Sequence, residues 1–173
     1  YTTLFRSDVD VLSLSATPIP RTLQMSLSGL RDLSLIETPP IDRLSVQTYV
    51  LESNDSVIRE AIRRELGRRG QVFYLMNRIS ELDSIKRKIN RLVPEAKVTI
   101  IHGAMDRDEI EDSLNSFLDK TFDVLVCTTV IETGIDIPNA NTIIIERADT
   151  LGLAQIYQIR GRVGRSDKIA YAY

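Results

Sequence analysis

Residues 71–101 read QVFYLMNRISELDSIKRKINRLVPEAKVTII, and this stretch decides the fold class. It begins and ends with the runs Gln71 to Met76 and Lys97 to Ile101, whose β-branched and aromatic residues are typical of strands. Between the two runs, apolar residues recur at the spacing of a helix with one buried face: Leu82, Ile85, Ile89 and Leu92. The order strand, helix, strand predicts two parallel strands joined by a crossover helix.

The same alternation continues on both sides of this unit. Further strands are predicted at 46–51, 123–127, 141–145 and 169–173, and the helices at 54–69, 80–92, 106–118 and 151–159, with a short helix at 21–28. In the helix at 54–69 the apolar face is Ile58, Ala61, Ile62 and Leu66, and Gly70 closes the helix. Ser80 with Asp83 resembles a capping box, and Leu118 is predicted to face inward with Ile110, Leu114 and Phe117. The run Val124 to Val126 is apolar throughout, as is usual for a strand that is covered on both faces. We therefore predict an α/β fold with a mostly parallel sheet and helices on both faces.

The first 45 residues depart from this pattern. Val9 to Leu14 alternates like a strand, and Pro18 and Pro20 end it. This strand reads as the last piece of an earlier domain, because no helix precedes it. We expect residues 1–18 to be the remnant of a first domain and 19–45 to be a linker. Residues 46–173 would then form a second domain that is truncated after its last strand.

The bulk composition excludes several classes of protein. Apolar residues make up 43% and charged residues 27% of the chain, which indicates a globular domain rather than a disordered one. The net charge of −2 means that any DNA contact must come from a local basic cluster, such as Arg147 to Lys168. No run reaches the roughly 20 apolar residues of a membrane span. With the single cysteine Cys127 and no evident signal peptide, we expect a cytoplasmic protein.

Polar residues follow several predicted strands at their carboxyl ends, where open parallel sheets bind ligands. They are Asn77 and Arg78, His102 and Gly103, Thr128 and Thr129, and the run Glu132 to Asp136. Some of these loops lead into helix N-termini, whose free N–H groups bind anions. His102 is the only histidine, and a loop role explains it more simply than general-base chemistry. No metal site built from protein ligands is expected, because no second His or Cys stands at ligand spacing.

The run Gly161-Arg162-Val163-Gly164-Arg165 is the sharpest chemical feature of the chain. Two guanidiniums three positions apart can reach one polyanion, and such arginines stabilise a transferring phosphoryl group. A solvated basic turn explains the spacing equally well. Asp136, after Gly134, could bind a ribose hydroxyl, although a turn or cap role is the simpler reading. The chain contains no phosphate-binding loop, so half of a nucleotide site would lie elsewhere.

Five segments resemble, in order, the motifs of superfamily 2 helicases. They are Ser15 to Pro18 (motif III), Val72 to Arg78 (motif IV), the His102-Gly103 loop, Thr128 to Asp136 (motif V) and Gln158 to Arg165 (motif VI). Within the superfamily, Pro18 to Leu33 and Ile36 to Pro40 are most similar to bacterial transcription-repair coupling factors. RecG helicases are similar in motifs V and VI but depart from the segment 26–40. Residues 1–7 do not fit the resemblance, and whether they are native stays open.

This resemblance implies a RecA-like second motor lobe, preceded by the last strand of the first lobe. It implies ATP as cofactor, with Mg²⁺ held mainly by the missing first lobe. The implied partners are double-stranded DNA and, in the full protein, RNA polymerase and a nucleotide-excision-repair protein, with no membrane.

The resemblance also implies roles for individual residues. Arg162 and Arg165 correspond to arginine fingers that reach the γ-phosphate, with Gln158 beside them. Gly134 and Asp136 correspond to residues that line the nucleotide. The positions near the DNA backbone are Asn77, Arg78, His102, Gly103, Thr128 and Thr129. Ser15 and Thr17 correspond to the motif that couples nucleotide state to DNA grip.

Three functions are compatible with these observations. The first is an ATP-driven translocase on double-stranded DNA that displaces stalled RNA polymerase in transcription-coupled repair. The second is a fork-remodelling helicase of the RecG type. The third, from another class, is a non-catalytic α/β lobe that binds nucleic acid. In every case the chain alone is expected to lack ATPase activity, because it lacks the phosphate-binding loop.

Overall fold

The fold is taken from a computed structural model, which describes residues 34, 45–129, 139–164 and 168–173. The chain divides into two compact units, Tyr1–Leu35 and Ile36–Tyr173, and every element below belongs to the second. The predicted strand at 9–14 and the predicted helix at 21–28 lie outside the described residues, and so does the predicted linker at 19–45 except for residues 34 and 45.

Strands and helices alternate in the predicted order. The strands are β1 (Gln47–Thr48), β2 (Gln71–Leu75), β3 (Val98–Ile101), β4 (Val124–Cys127), β5 (Ala140–Ile145) and β6 (Tyr171–Ala172). The helices are α1 (Asp55–Gly67), α2 (Ile79–Leu92), α3 (Arg107–Leu118) and α4 (Leu153–Arg160), with a 3₁₀ turn at Ala148–Thr150. All pairings among the described strands are parallel, in the order β1-β6-β5-β2-β4-β3. The predicted α/β class is confirmed.

Helices cover both faces of the sheet. Successive side chains of each strand point to opposite faces, so an apolar strand needs a covering layer on each side. Val72 and Tyr74 pack in the core under α1 and α2, whereas Phe73 and Leu75 pack in the core under α3 and α4. The helix residues buried in the first core are Ile58, Ala61, Ile62, Leu82, Ile85 and Ile89. The predicted apolar faces of α1 and α2 are therefore confirmed. Leu118 was predicted to face inward but is 38% exposed, since it lies about 100° around α3 from buried Phe117.

The ends of the elements differ from the predictions in three places. β1 is two residues long, because it pairs only with the equally short β6, and Val50 beyond it is exposed. The predicted capping box at Ser80 does not form, because α2 already begins at Ile79. α1 ends at Gly67, and the left-handed residue after it is Arg69 (φ 59°) rather than the predicted closing residue Gly70.

Candidate functional site at the carboxyl edge of the sheet

The residues predicted to contact DNA follow three neighbouring strands. Leu75 is in register with Cys127, and Cys127 with Ile101, so β2, β4 and β3 end level with one another. The six predicted residues come within three positions of these strand ends: Asn77, Arg78, His102, Gly103, Thr128 and Thr129. Adjacent strands lie about 4.8 Å apart, so the three strand ends span about 10 Å. The fold thus brings all six positions to one stretch of the sheet edge.

These six residues differ in what they offer to a ligand. Asn77 and Gly103 are exposed, and so is Arg78, whose Nη1 lies 3.0 Å from Glu81 Oε1. Thr128 is only 6% exposed, which leaves Thr129 as the more accessible threonine. His102 Nδ1 accepts a hydrogen bond of 3.3 Å from the Ala104 N–H. That contact agrees with a loop role for the histidine.

The turn that follows α4 carries Arg162, the first of the two predicted arginine fingers. The Arg162 N–H donates to the Ile159 carbonyl at 3.0 Å, and the Gly161 N–H donates to the Tyr157 carbonyl at 3.0 Å. Ile159 and Val163 are buried, so they anchor the turn to the core on either side of Arg162. Gly164 has φ 80°, a left-handed conformation that favours glycine. The Gly-Arg-Val-Gly pattern therefore builds a tight turn with Arg162 between two anchors.

Arg162 lies at the same small cavity as Thr129, the residue that follows the end of β4 by two positions. The two residues line one small cavity, whose other walls are Phe73, Leu75, Cys127, Ile143 and Ile159. Burial raises the pKa of the Cys127 thiol, so the cysteine stays a neutral core residue. Gln158 lies on α4 and is exposed. The other predicted site residues lie outside the described residues: Ser15, Thr17, Gly134, Asp136 and Arg165.

Sequence reasoning missed a buried tyrosine–carboxylate pair under the same edge. Tyr74 is fully buried, and its hydroxyl donates a short hydrogen bond to Glu146 Oε2. Ser53 Oγ donates to Glu146 Oε1 at 3.0 Å. Burial and then the hydrogen bond to Glu146 raise the pKa of Tyr74, so the ring remains a neutral donor. The available signal was a tyrosine in an apolar strand, because a buried hydroxyl needs a partner.

The part of the chain that the structure describes contains neither a cluster of metal ligands nor a helix that could span a membrane. No group of three or more His, Cys, Asp or Glu side chains in that part is arranged to hold a metal ion. No helix there is long and apolar enough to cross a membrane.

Comparison with known proteins decides the family. Residues 53–167 match the family model described as the helicase conserved C-terminal domain. The chain belongs to this family. The match includes every helix described above, both threonines at the end of β4, and the arginine turn after α4.

Individual relatives of this helicase C-terminal domain support the sequence resemblance. The chain is 56% identical, over 97% of its length, to the transcription-repair-coupling factors of Staphylococcus haemolyticus (strain JCSC1435) and Staphylococcus aureus (strain USA300). It spans 14% of the length of each of these relatives. The predicted resemblance to the coupling factors is thereby confirmed.

Solved structures agree with the RecA-like fold. A RecG bound to a three-way DNA junction superposes with a TM-score of 0.74 at 36% identity, covering 91% of this chain and 21% of that one. Dbp5 of S. cerevisiae superposes with a TM-score of 0.64 at 20% identity, covering 91% and 42% of the two chains. The predicted RecA-like sheet with helices on both faces is confirmed.

Proposed function

We propose that this helicase C-terminal lobe is the second motor lobe of an ATP-dependent translocase on double-stranded DNA. The translocase acts in transcription-coupled repair and displaces stalled RNA polymerase. The observation that carries the proposal is the position of Arg162, which shares a cavity with Thr129 at the strand edge where the other predicted DNA-contacting residues lie. A change at a bound phosphate can therefore reach a DNA-gripping surface through adjacent residues.

The arginine turn has the chemistry of a γ-phosphate sensor. Arg162 is partly exposed, and its guanidinium can donate two parallel hydrogen bonds to phosphoryl oxygens. The two glycines are explained by the turn itself, since a Cβ at Gly161 would lie 3.3 Å from the Gln158 carbonyl and Gly164 has a positive φ. ATP supplies the phosphoryl group whose transfer to water drives the motor. Arg162, together with Arg165 and Gln158, stabilises the charge that develops on that group and holds the two lobes closed.

The two implied ligands differ in how the described residues fit them. The partly exposed guanidinium of Arg162 suits the phosphates of ATP. Mg²⁺ prefers carboxylate oxygens, and no cluster of three such groups occurs among the described residues. We therefore assign the metal to carboxylates of a first lobe, and Gly134 and Asp136 to the nucleotide.

DNA contact follows from the polar row Asn77, Arg78, His102-Gly103 and Thr128-Thr129 at the ends of β2, β3 and β4. Hydrogen bonds to phosphates carry no sequence information, which suits a motor that runs over any sequence. Ser15 and Thr17 couple the nucleotide state to this grip. RNA polymerase and a nucleotide-excision-repair protein are the proposed partners, on the strength of the identity to the coupling factors. We place the protein in the cytoplasm, where these partners act.

A fork-remodelling helicase is the second candidate. The superposition with RecG bound to a three-way DNA junction favours it, although at 36% rather than 56% identity. Two assays of the full-length protein distinguish the candidates. A coupling factor releases a stalled RNA polymerase from DNA, whereas a RecG-type enzyme regresses a model fork.

The test is DNA-stimulated ATP hydrolysis by the full-length protein that carries this lobe. We expect Arg162→Ala to lower kcat by about 10³-fold or more, the lower end of the range for arginine fingers. Arg91→Ala is the matched control, because Arg91 is an exposed arginine on α2 whose ion pair among the described residues is with the exposed Asp55. Near-normal turnover of Arg162→Ala would remove the finger assignment. Absence of turnover in the wild type would instead favour a non-catalytic binding lobe.

A further inference from the structure

A cavity of about 400 Å³ lies at the carboxyl edge of the sheet, where β1, β5 and β6 end. The start of α1 and the 3₁₀ turn after β5 complete its walls, and Glu146 lies among its lining residues. The residues predicted to contact DNA follow the other three strands. The volume falls in the range of sites that hold a small ligand or a few side chains of a partner. This Glu146 cavity has no role in the function proposed above.

The chain that follows β1 gives the Glu146 cavity an exposed apolar wall. Tyr49, Val50 and Leu51 are consecutive, and they are 43%, 94% and 56% exposed. The Tyr49 ring stacks on Tyr173 with the ring centres 5.3 Å apart, so the ring is held in one orientation. A contiguous exposed apolar patch beside a cavity is typical of a surface that binds another protein.

Carboxylates supply most of the charge in the Glu146 cavity. The charged lining residues are Glu52, Glu146, Asp149 and Arg147. Glu146 is held from two sides, because the Tyr74 hydroxyl donates to its Oε2 and Ser53 Oγ donates to its Oε1 at 3.0 Å. A carboxylate can accept about four hydrogen bonds, so Glu146 can accept further ones from a ligand. The cavity thus contains a fixed anionic acceptor next to an apolar wall.

This balance of charge favours a cationic group over a phosphate. Arg147 pairs with Asp149 at 3.3 Å, and because both side chains are exposed the pair is weak. The start of α1 does not reverse the sign, since Asn54 Oδ1 caps the helix by accepting from the Ser56 N–H at 2.8 Å. Carboxylates repel the phosphates of a duplex, so DNA is not the expected occupant of this half of the edge.

We infer that the Glu146 cavity docks a protein partner through an arginine or lysine side chain that is flanked by apolar residues. The aliphatic stem of such a side chain packs against Val50 and Leu51, and its charged head reaches Glu146. The flanking apolar residues of the partner cover the exposed wall. The docking does not depend on ATP hydrolysis, since no residue assigned above to nucleotide or DNA takes part in it.

The probe is the synthetic peptide acetyl-Ala-Leu-Arg-Leu-Ala-amide, which places a guanidinium between two apolar side chains. A comparison peptide has glutamate in place of the arginine. Dissociation constants are measured from the amide NMR shifts of the 173-residue chain. Saturation-transfer NMR then tests whether the full-length protein binds the arginine peptide.

We expect the arginine peptide to shift the amide signals of residues 50–54 and 146–149, and the glutamate peptide to bind about 10-fold more weakly. Glu146→Gln weakens binding of the arginine peptide about 10-fold, because the guanidinium loses a charged partner. Glu111→Gln is the matched control, since Glu111 is an exposed carboxylate on α3, outside the cavity, and its loss leaves the affinity unchanged.

A second variant keeps the inference testable if Glu146→Gln is unstable. Asp149 is exposed, so Asp149→Lys leaves the hydrogen bond between Tyr74 and Glu146 in place. We expect this variant to bind the arginine peptide more weakly than wild type and the glutamate peptide more tightly, each by about 5-fold. Val50→Ser, at an exposed position of the apolar wall, weakens binding of the arginine peptide about 3-fold.

The alternative occupants give different results. Equal binding of the two peptides, or unchanged affinities in Glu146→Gln and Asp149→Lys, would show that the cavity does not recognise a basic side chain. Spermidine that binds as tightly as the arginine peptide would reduce the cavity to an unspecific cation site. Shifts of the same signals by a short DNA duplex would assign the surface to DNA. Absence of saturation transfer in the full-length protein would mean that another part of that protein fills the cavity.

Discussion

The glycine at position 70 is required by the packing of a neighbouring side chain, the buried carboxylate of Glu65. A Cβ at position 70 would lie 1.7 Å from Glu65 Oε1, whereas a Cβ at Gly67 would meet nothing within 4 Å. The glycine at 70 is thus required by the buried carboxylate and not by the end of the helix. From the sequence, Gly70 was interpreted as a helix terminator, because a glycine after an apolar helix is usually one.

We expect Gly70→Ala to destabilise the chain by about 1–3 kcal/mol, since the added methyl displaces a carboxylate that is held by Thr142 and Arg68. Gly67→Ala is the matched control, and we expect it to be neutral or to stabilise by up to about 1 kcal/mol, because alanine is the better helix former. Urea unfolding followed by circular dichroism measures both. Equal stabilities of the two variants would contradict the steric argument.

The proposed role of Arg162 rests partly on its sequence and partly on its position in the fold. Its type and its flanking glycines indicated a phosphate ligand, but the spacing alone could not separate that role from a solvated basic turn. The structure adds two observations, a turn anchored by buried Ile159 and Val163 and a cavity shared with Thr129. These positions are 33 residues apart in the chain, so no local pattern could have related them.

At the scale of elements, helix periodicity predicted the buried faces better than the helix ends. The apolar stripes of α1 and α2 were correct, because burial of one face follows directly from 3.6-residue spacing. A side-chain N-cap must lie directly before the first residue of the helix, so a helix that begins one residue earlier than predicted loses the predicted cap. Asn54 caps α1, with its Oδ1 accepting from the Ser56 N–H at 2.8 Å, whereas Ser80 lies inside α2.

We predict that Asn54→Ala lowers the free energy of unfolding by about 1 kcal/mol, the usual value of an N-cap side chain. Ser80→Ala should change it by less than about 0.5 kcal/mol, because Ser80 is not the capping residue of α2. Thermal and urea unfolding of the two variants give the comparison. A larger loss at Ser80 than at Asn54 would show that the predicted capping box forms after all.

At the scale of the whole molecule, the sheet joins features that are separate in sequence. β2 lies in the middle of the sheet, between β4 and β5, so the polar residues after β2 and β4 become neighbours. On one face of the sheet, Ile159 of α4 and Val163 of the turn are buried in the core, so the packing of α4 holds the arginine turn in place.

We predict that the 173-residue chain alone hydrolyses no ATP, with or without DNA. The sequence contains no phosphate-binding loop, and the described residues contain no cluster suited to Mg²⁺. Phosphate release by the purified chain is compared with that of the full-length protein, and the Arg162→Ala chain reports any contaminating activity. DNA-stimulated turnover by the chain that Arg162→Ala abolishes would overturn the two-lobe assignment.

The sequence by itself determined the α/β class, the order of strands and helices, the polar strand-end loops and the resemblance to a helicase motor. These features are local, because periodicity and motif spacing can be recognised within a few tens of consecutive residues. Only the tertiary structure decided the order of strands in the sheet, the cavity that Arg162 and Thr129 both line, and the burial of Glu65. It also decided the bond from Arg68 to Ile169, which closes a separation of 101 residues. Such contacts depend on which elements pack together, and side chains far apart in sequence acquire their partners only through that packing.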